Sequence, residues 1–267
     1  MDMDDTLLTK AKELTEENLN ALREASEKGI EIVPTTGRFY KALPETLRNQ
    51  DYIHYAVTIN GAQVYDYVND RSVCESSMKW EQVIDLLEYF DTKDVIYDTY
   101  IDNQGWMTEA LQNKAEEFTE HPYYRWAIRN LRQPVPELKA FIRERKHDVQ
   151  KVQVFVKDLE FRQYMMDHIG EMYPGIHATS AIFNNLEINS SETDKGKALK
   201  SLAEYLGYTM DNVMAIGDGI NDISMIAMAG LGVAMENAEE KVKAAADFIT
   251  LDCDHSGVAY AVRKFCL

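Results

Sequence analysis

Val213-Met214-Ala215-Ile216-Gly217-Asp218-Gly219-Ile220-Asn221-Asp222 reads as a short apolar strand that runs into a turn rich in glycine and acid. Downstream, Asp222 to Ala229 has helical spacing, Leu231 to Met235 is strand-like, Ala238 to Ala246 is helical and Phe248 to Leu251 is again strand-like. Strand, helix and strand in alternation predict a parallel sheet covered by helices. Upstream, Leu186-Glu187-Ile188 leads through a polar loop into a helical stretch from Lys195 to Leu206, stopped by Gly207. The N-terminal part has the same rhythm. Residues 9 to 28 carry Leu14, Leu19, Leu22 and Ala25 at helical spacing, with Gly29 as a C-terminal stop. Ile30-Glu31-Ile32-Val33 and Tyr55 to Ile59 are short β-rich runs, the second ended by the turn pair Asn60-Gly61.

Between these ends, from about Met78 to Asn184, the texture changes. All three tryptophans lie there, with strand alternation at Val95 to Ile101 and Val152 to Val156 and helical stretches at Trp80 to Phe90 and Leu159 to Tyr173. The expected organisation is an α/β core domain formed by residues 1–77 and 186–267, interrupted by an α+β domain over 78–185. The aromatic run Tyr123-Tyr124-Arg125-Trp126 in that insertion is expected to be core rather than a substrate-facing group.

The 267 residues carry 28 Lys and Arg against 45 Asp and Glu, a formal charge of −17, and 45% of them are hydrophobic. Disordered and collagen-like chains are excluded, and a nucleic-acid partner is not expected, because phosphate backbones demand a surplus of cations. Ile223 to Met235 is the longest charge-free apolar run, well below the ~20 residues that span a bilayer, so no membrane partner is expected. Cys74, Cys253 and Cys266 are scattered without a CxxC pair, which fits a reducing cytoplasm. The sequence is silent on oligomeric state.

Four short segments fall where a predicted strand meets a loop, the position at which open parallel sheets hold their ligands: Asp2 to Thr6, Thr36 to Arg38, Lys195, and Gly217 to Asp222. Their carboxylates cannot all stay ionised in one cleft without a cation, and a hard divalent ion such as Mg²⁺ suits oxygen donors. Thr36 and Lys195 add a hydroxyl and a fixed positive charge, as a bound phosphate requires. Asp2-x-Asp4 offers one carboxylate to attack phosphorus and another to move a proton. Taken singly, each piece has a plainer reading: a turn, a helix start, a solvated lysine.

Together, in this order, the segments resemble the haloacid dehalogenase (HAD) superfamily of phosphotransferases, and within it the Cof-type phosphatases. Asp2-Met3-Asp4-Asp5-Thr6-Leu7, Thr36-Gly37-Arg38, Lys195-Gly196 and Gly217-Asp218-Gly219-Ile220-Asn221-Asp222 match that family's four motifs, with further echoes at Asn60-Gly61-Ala62 and Met235-Glu236-Asn237-Ala238. The resemblance implies a Rossmann-like core with an inserted C2-type cap that sets specificity, and a phosphatase acting on small phosphorylated metabolites such as sugar phosphates or phosphorylated cofactors. It implies Asp2 as the nucleophile that becomes an aspartyl-phosphate and Asp4 as the acid and base. It implies Mg²⁺ held by Asp2, the Asp4 carbonyl and Asp218, with Asp222 acting through water, and phosphate held by Thr36, Gly37, Lys195 and Asn221. A phosphomutase and a catalytically weak phosphate binder stay open as alternatives. Family members carry several apolar residues before the first Asp, whereas only Met1 precedes it here. The first core strand is therefore expected to be missing, and a chain with about eight further residues upstream is expected to be more stable and more active.

Overall fold

The structure, a computed structural model, describes residues 1–180 and 182–267. It divides into two compact units: a core of Met1–Arg38, Leu43–Glu75 and Asp194–Leu267, and an insertion of Phe39–Ala42 and Ser76–Thr193.

In chain order, the core first forms an antiparallel sheet of β1 (Tyr55–Thr58), β2 (Gln63–Asp66) and β3 (Arg71–Glu75). The insertion then supplies a six-stranded sheet of β4 (Val95–Ile101), β5 (Gln104–Thr108), β6 (Arg132–Val135), β7 (Lys151–Val156), β8 (Ile176–Thr179) and β9 (Asn185–Ser190), in the order β6-β5-β4-β7-β9-β8. Returning to the core, β10 (Met214–Gly217), β11 (Leu231–Ala234) and β12 (Phe248–Ile249) pair in parallel.

Single bridges join the two core sheets. Thr35 bridges Val57 on one side and Asp2 on the other, both in parallel, and the Asp2 N–H donates to the Ile216 carbonyl at 2.8 Å. The layer therefore runs β1, Thr35, Asp2, β10, β11, β12. Numbered by chain position this is the order 3-2-1-4-5-6 of a doubly wound dinucleotide-type sheet, whose ligand crevice opens where the order reverses. Asp2 and the end of β10 flank that reversal. The slot expected to lack a strand is entered, over two residues, by Met1 and Asp2.

Several expected elements are shorter or shifted. The first helix spans Glu16–Glu27, with the Thr15 side chain accepting from the Asn18 N–H, while residues 9–14 form a loop closed by a Leu8–Leu14 bridge. A capping threonine followed by Glu16 and Glu17 starts the helix there, overriding the apolar spacing upstream. The run Ile30 to Val33 leads to pairing only at Thr35. Downstream, helices occupy Ile223–Met228 and Glu240–Lys243.

Leu186 to Ile188 forms a strand but lies in the insertion, as β9 between β7 and β8, so the units part at Glu75/Ser76 and Thr193/Asp194 rather than at 77/78 and 185/186. The reason is legible in Asn185-Leu186-Glu187-Ile188-Asn189: a strict alternation suits a two-faced antiparallel sheet, whereas a buried parallel strand is apolar throughout. One face of the inserted sheet, carrying Val95, Tyr97, Val152, Val154, Leu186 and Ile188, packs under the helices Trp80–Phe90, Leu138–Arg145 and Leu159–Met172. The opposite face holds a buried polar network. Arg132 donates from Nε to Asp98 (3.1 Å) and from Nη2 to Tyr100 Oη (2.8 Å) and Gln153 Oε1 (3.0 Å), and Lys151 pairs with Glu187 at 2.9 Å. Of the aromatic run in the helix Pro122–Leu131, Tyr124 packs against Phe155 as expected of a core residue, whereas Trp126 is half exposed.

Candidate active site

The N-terminal motif turns sharply after its bridging residue. Thr6 and Leu8 both donate their N–H to the Met3 carbonyl, and Asp5 takes φ = 63°, a left-handed conformation that aspartate tolerates. The Asp2 carboxylate is buried, and the Asp4 carboxylate stays partly open to solvent. Opposite, β10 ends at Gly217, and the chain folds back so that Asp222 Oδ2 accepts the N–H of Asp218 and of Gly219, each at 3.0 Å. This fold needs glycine: a Cβ at position 217 would come within 2.6 Å of Asp222 Cγ. The Gly-Asp-x-x-Asn-Asp spacing is thus a packing requirement as well as a chemical one.

Lys195 is the first residue of the helix Lys195–Tyr205, which is capped by Asp194. Lys195 is 2% exposed, and its ammonium donates to Asp2 Oδ1 and to Asp222 Oδ1, both at 2.6 Å. Asp218 Oδ1 accepts from the Thr6 hydroxyl at 2.6 Å. Oxygen atoms of Asp2, Asp218 and Asp222 lie within 4.8 Å of one another.

Three carboxylates around one lysine leave an excess of negative charge in a poorly solvated place. Burial pushes the Asp2 carboxyl well above the ordinary carboxylate range, with Asp222 adding to the rise and Lys195 opposing it. Burial likewise raises Asp218, to about 7, against the Thr6 hydrogen bond. Desolvation works to lower the Lys195 pKa, but Asp2 and Asp222 outweigh it and hold the ammonium charged. A clustered set of hard oxygen donors with uncompensated charge fits a divalent cation such as Mg²⁺.

Asp4 has a separate environment. Arg38 grips it with a two-pronged contact, Nε to Oδ2 at 2.9 Å and Nη2 to Oδ1 at 2.6 Å, and Lys12 lies 3.5 Å away while also bonding Asp5 at 2.9 Å. Burial works to raise the Asp4 carboxyl, but Arg38 and then Lys12 hold it below the usual range.

Of the residues singled out in the sequence, Asp2, Lys195, Asp218 and Asp222 converge directly. The Asp4 carboxylate lies outside that acidic cluster, in the grip of Arg38. Thr36, whose hydroxyl accepts the Arg38 N–H at 3.1 Å, follows the residue bridged to Asp2, and Gly37 is next to it. Asn221 is exposed, with its amide 3.4 Å from Asn60 Oδ1. Sequence reasoning gave no role to Thr6, Lys12, Arg38 or Asn60. Thr6 and Arg38 stand inside motifs already noticed, whereas nothing in the pattern around Lys12 marks it.

The haloacid dehalogenase-like hydrolase family matches residues 1–262 of the chain. The 5-amino-6-(5-phospho-D-ribitylamino)uracil phosphatase YcsE of Bacillus subtilis (strain 168) is 31% identical over 267 residues, spanning 100% of this chain and 94% of that protein. Pyridoxal phosphate phosphatase YbhA of Escherichia coli (strain K12) is 28% identical over 263 residues, covering 97% of this chain and 94% of its own length. Among solved structures, a haloacid dehalogenase-like hydrolase from Bacteroides thetaiotaomicron superimposes with a TM-score of 0.84 at 28% identity, covering 98% of this chain and 97% of that one.

Proposed function

The chain belongs to the haloacid dehalogenase-like hydrolases, as a Cof-type phosphatase of phosphoric monoesters, and on that premise we propose that it hydrolyses small phosphorylated metabolites with Mg²⁺ through a phosphorylated Asp2. The observation that carries this reading is the convergence of Asp2, Lys195, Asp218 and Asp222 at the reversal of the core sheet. The relatives named for a phosphorylated ribitylamino-uracil and for pyridoxal phosphate support a compact phosphoester of a sugar-like or heterocyclic alcohol as substrate.

In the proposed chemistry the Asp2 carboxylate attacks phosphorus. Lys195 holds Asp2 and Asp222 in register and offsets charge on the transferring group. Thr36, Gly37 and Asn221 fix phosphate oxygens by hydrogen bonds. Mg²⁺, held by Asp2, the Asp4 carbonyl and Asp218, would supply further neutralisation of the phosphoryl oxygens. Asp222 already spends both carboxylate oxygens on Lys195 and on the amides of Asp218 and Gly219, which supports a contribution through water rather than direct ligation. Asp4, ionised beside Arg38, is set to accept a proton from the water that cleaves the intermediate; to protonate the leaving oxygen it must leave that guanidinium.

The test is release of nitrophenolate and inorganic phosphate from para-nitrophenyl phosphate. Turnover is expected to require Mg²⁺, to stop with EDTA, and to vanish in Asp2→Asn. Transfer of the phosphoryl to a second alcohol with no free phosphate would contradict hydrolysis. Turnover surviving Asp2→Asn would contradict the assigned nucleophile.

A further inference from the structure

One loop of the core remains without a role in this chemistry, the turn Ile59–Gly61 that follows β1. Its three residues all have positive φ: 55° at Ile59, 60° at Asn60 and 97° at Gly61. For a β-branched residue such as Ile59 this is a rare and costly conformation, held only where its surroundings over-determine it. Ile59 is fully buried. The hydrogen bonds show what the conformation achieves. Two successive amides point at the phosphate-side turn: the Ile59 N–H donates to the Arg38 carbonyl and the Asn60 N–H to the Thr36 carbonyl, each at 2.9 Å. The turn Thr36–Arg38 is gripped at both ends.

The Asn60 side chain completes the grip. Its Oδ1 lies over the middle of the same turn, so close that a Cβ on Gly37 would stand 2.7 Å from it. The same oxygen accepts from Asn221 Nδ2 at 3.4 Å. On its other flank the loop runs along the start of the lysine helix, where a Cβ on Gly61 would be 2.4 Å from the Asp194 carbonyl. A single turn therefore touches the segments that carry Thr36, Lys195 and Asn221.

We infer that Asn60 is a positioning residue of the phosphate site, fixing the Thr36–Arg38 turn through its backbone and the Asn221 amide through its carboxamide. The inference rests on the phosphate-site reading above. Asparagine meets three demands at once. It tolerates the left-handed conformation, it offers an acceptor to one N–H of Asn221 while leaving the other for a phosphate oxygen, and it brings no negative charge toward a dianion. Alanine fails the first two demands, glycine the second and aspartate the third.

The experiment compares Asn60→Gly, Asn60→Ala, Asn221→Ala and the double variant Asn60→Gly/Asn221→Ala. It reads para-nitrophenyl phosphate turnover, inhibition by inorganic phosphate and melting temperature, with Asp2→Asn as control. Asn60→Gly keeps the backbone and loses the carboxamide. It is expected to melt with the parent and to weaken phosphate inhibition roughly fivefold, the scale of one hydrogen bond. The double variant is expected to be no worse than Asn221→Ala alone, because the carboxamide acts through Asn221. Asn60→Ala, which also strains the turn, loses more than Asn60→Gly. Parental phosphate inhibition in Asn60→Gly, or losses that multiply in the double variant, overturn the inference. Turnover that survives Asp2→Asn instead removes the phosphate-site reading, and the inference with it.

Discussion

Arg38 and Lys12 both pair with Asp4, whereas Lys195 pairs with Asp2 and Asp222. The two aspartates of one short motif thus sit in opposite electrostatic settings, which is how a single fold assigns two carboxylates different tasks. Arg38 has the more exacting position, since a planar guanidinium bonded to both oxygens fixes the orientation of Asp4 in a way a lysine cannot. Replacing Arg38 with Met should lower turnover by up to about 100-fold, the scale of a misplaced catalytic group, because Asp4 is then no longer held ionised and oriented toward the attacking water. Cleavage of the intermediate by water is common to all substrates, so the loss should appear with para-nitrophenyl phosphate as well as with alkyl phosphates, and a burst of nitrophenolate should precede the slowed steady state. Rapid-quench kinetics checks this; a loss without a burst would mean that Arg38 serves binding or the first step rather than the base role of Asp4.

At the scale of elements, the hairpin of β2 and β3 shows a carboxylate used for structure alone. Asp66, fully buried at the end of β2, accepts the N–H of Val68 (3.1 Å) and Asn69 (3.0 Å) and the Asn69 side-chain amide (2.8 Å). Burial works to raise its pKa, but the Asn69 hydrogen bonds and Arg71 hold it below the ordinary value. A group with a depressed folded pKa contributes stability that is fully present above its unfolded pKa, about 4, and is lost as pH falls through the folded value. Asp66→Ala should cost about 2 kcal/mol at pH 7, from several hydrogen bonds to a buried charge. Denaturation at pH 7 and at pH 3 should show the gap from the parent narrowing in acid; a constant gap would mean that the ionised carboxylate contributes nothing. Element boundaries were also where the sequence misled. The apolar spacing of Leu14 and Leu19 continues a helix that Thr15 in fact starts, and β9 was placed in the core although its polar alternation belongs to the inserted sheet. In both cases a local signal, a cap or an alternation, outranked the periodicity of the neighbourhood.

At the scale of the whole molecule, the alternation of strand and helix at both ends of the chain was enough to foresee a parallel layer with an interruption. It could not reveal that the layer depends on single bridges at Thr35 and Asp2, because one-residue pairings leave no periodic trace. The same limit applies to the site. The residues that converge, Asp2, Lys195, Asp218 and Asp222, stand in contiguous motifs that can be read from their order, whereas contacts made across the fold cannot. Asn60 and Asn221 lie far apart in sequence and meet only through topology. No helix among the described residues is long and apolar enough to cross a membrane. The central claim is that Asp2 accepts the phosphoryl group, and trapping it is the most direct test. The Asp4→Asn variant, unable to activate water, is mixed with para-nitrophenyl phosphate and Mg²⁺, quenched in acid and digested for mass spectrometry. A phosphoryl group on Asp2 that hydroxylamine removes is the predicted result; nitrophenolate release with Asp2 unmodified at every quench time would contradict it.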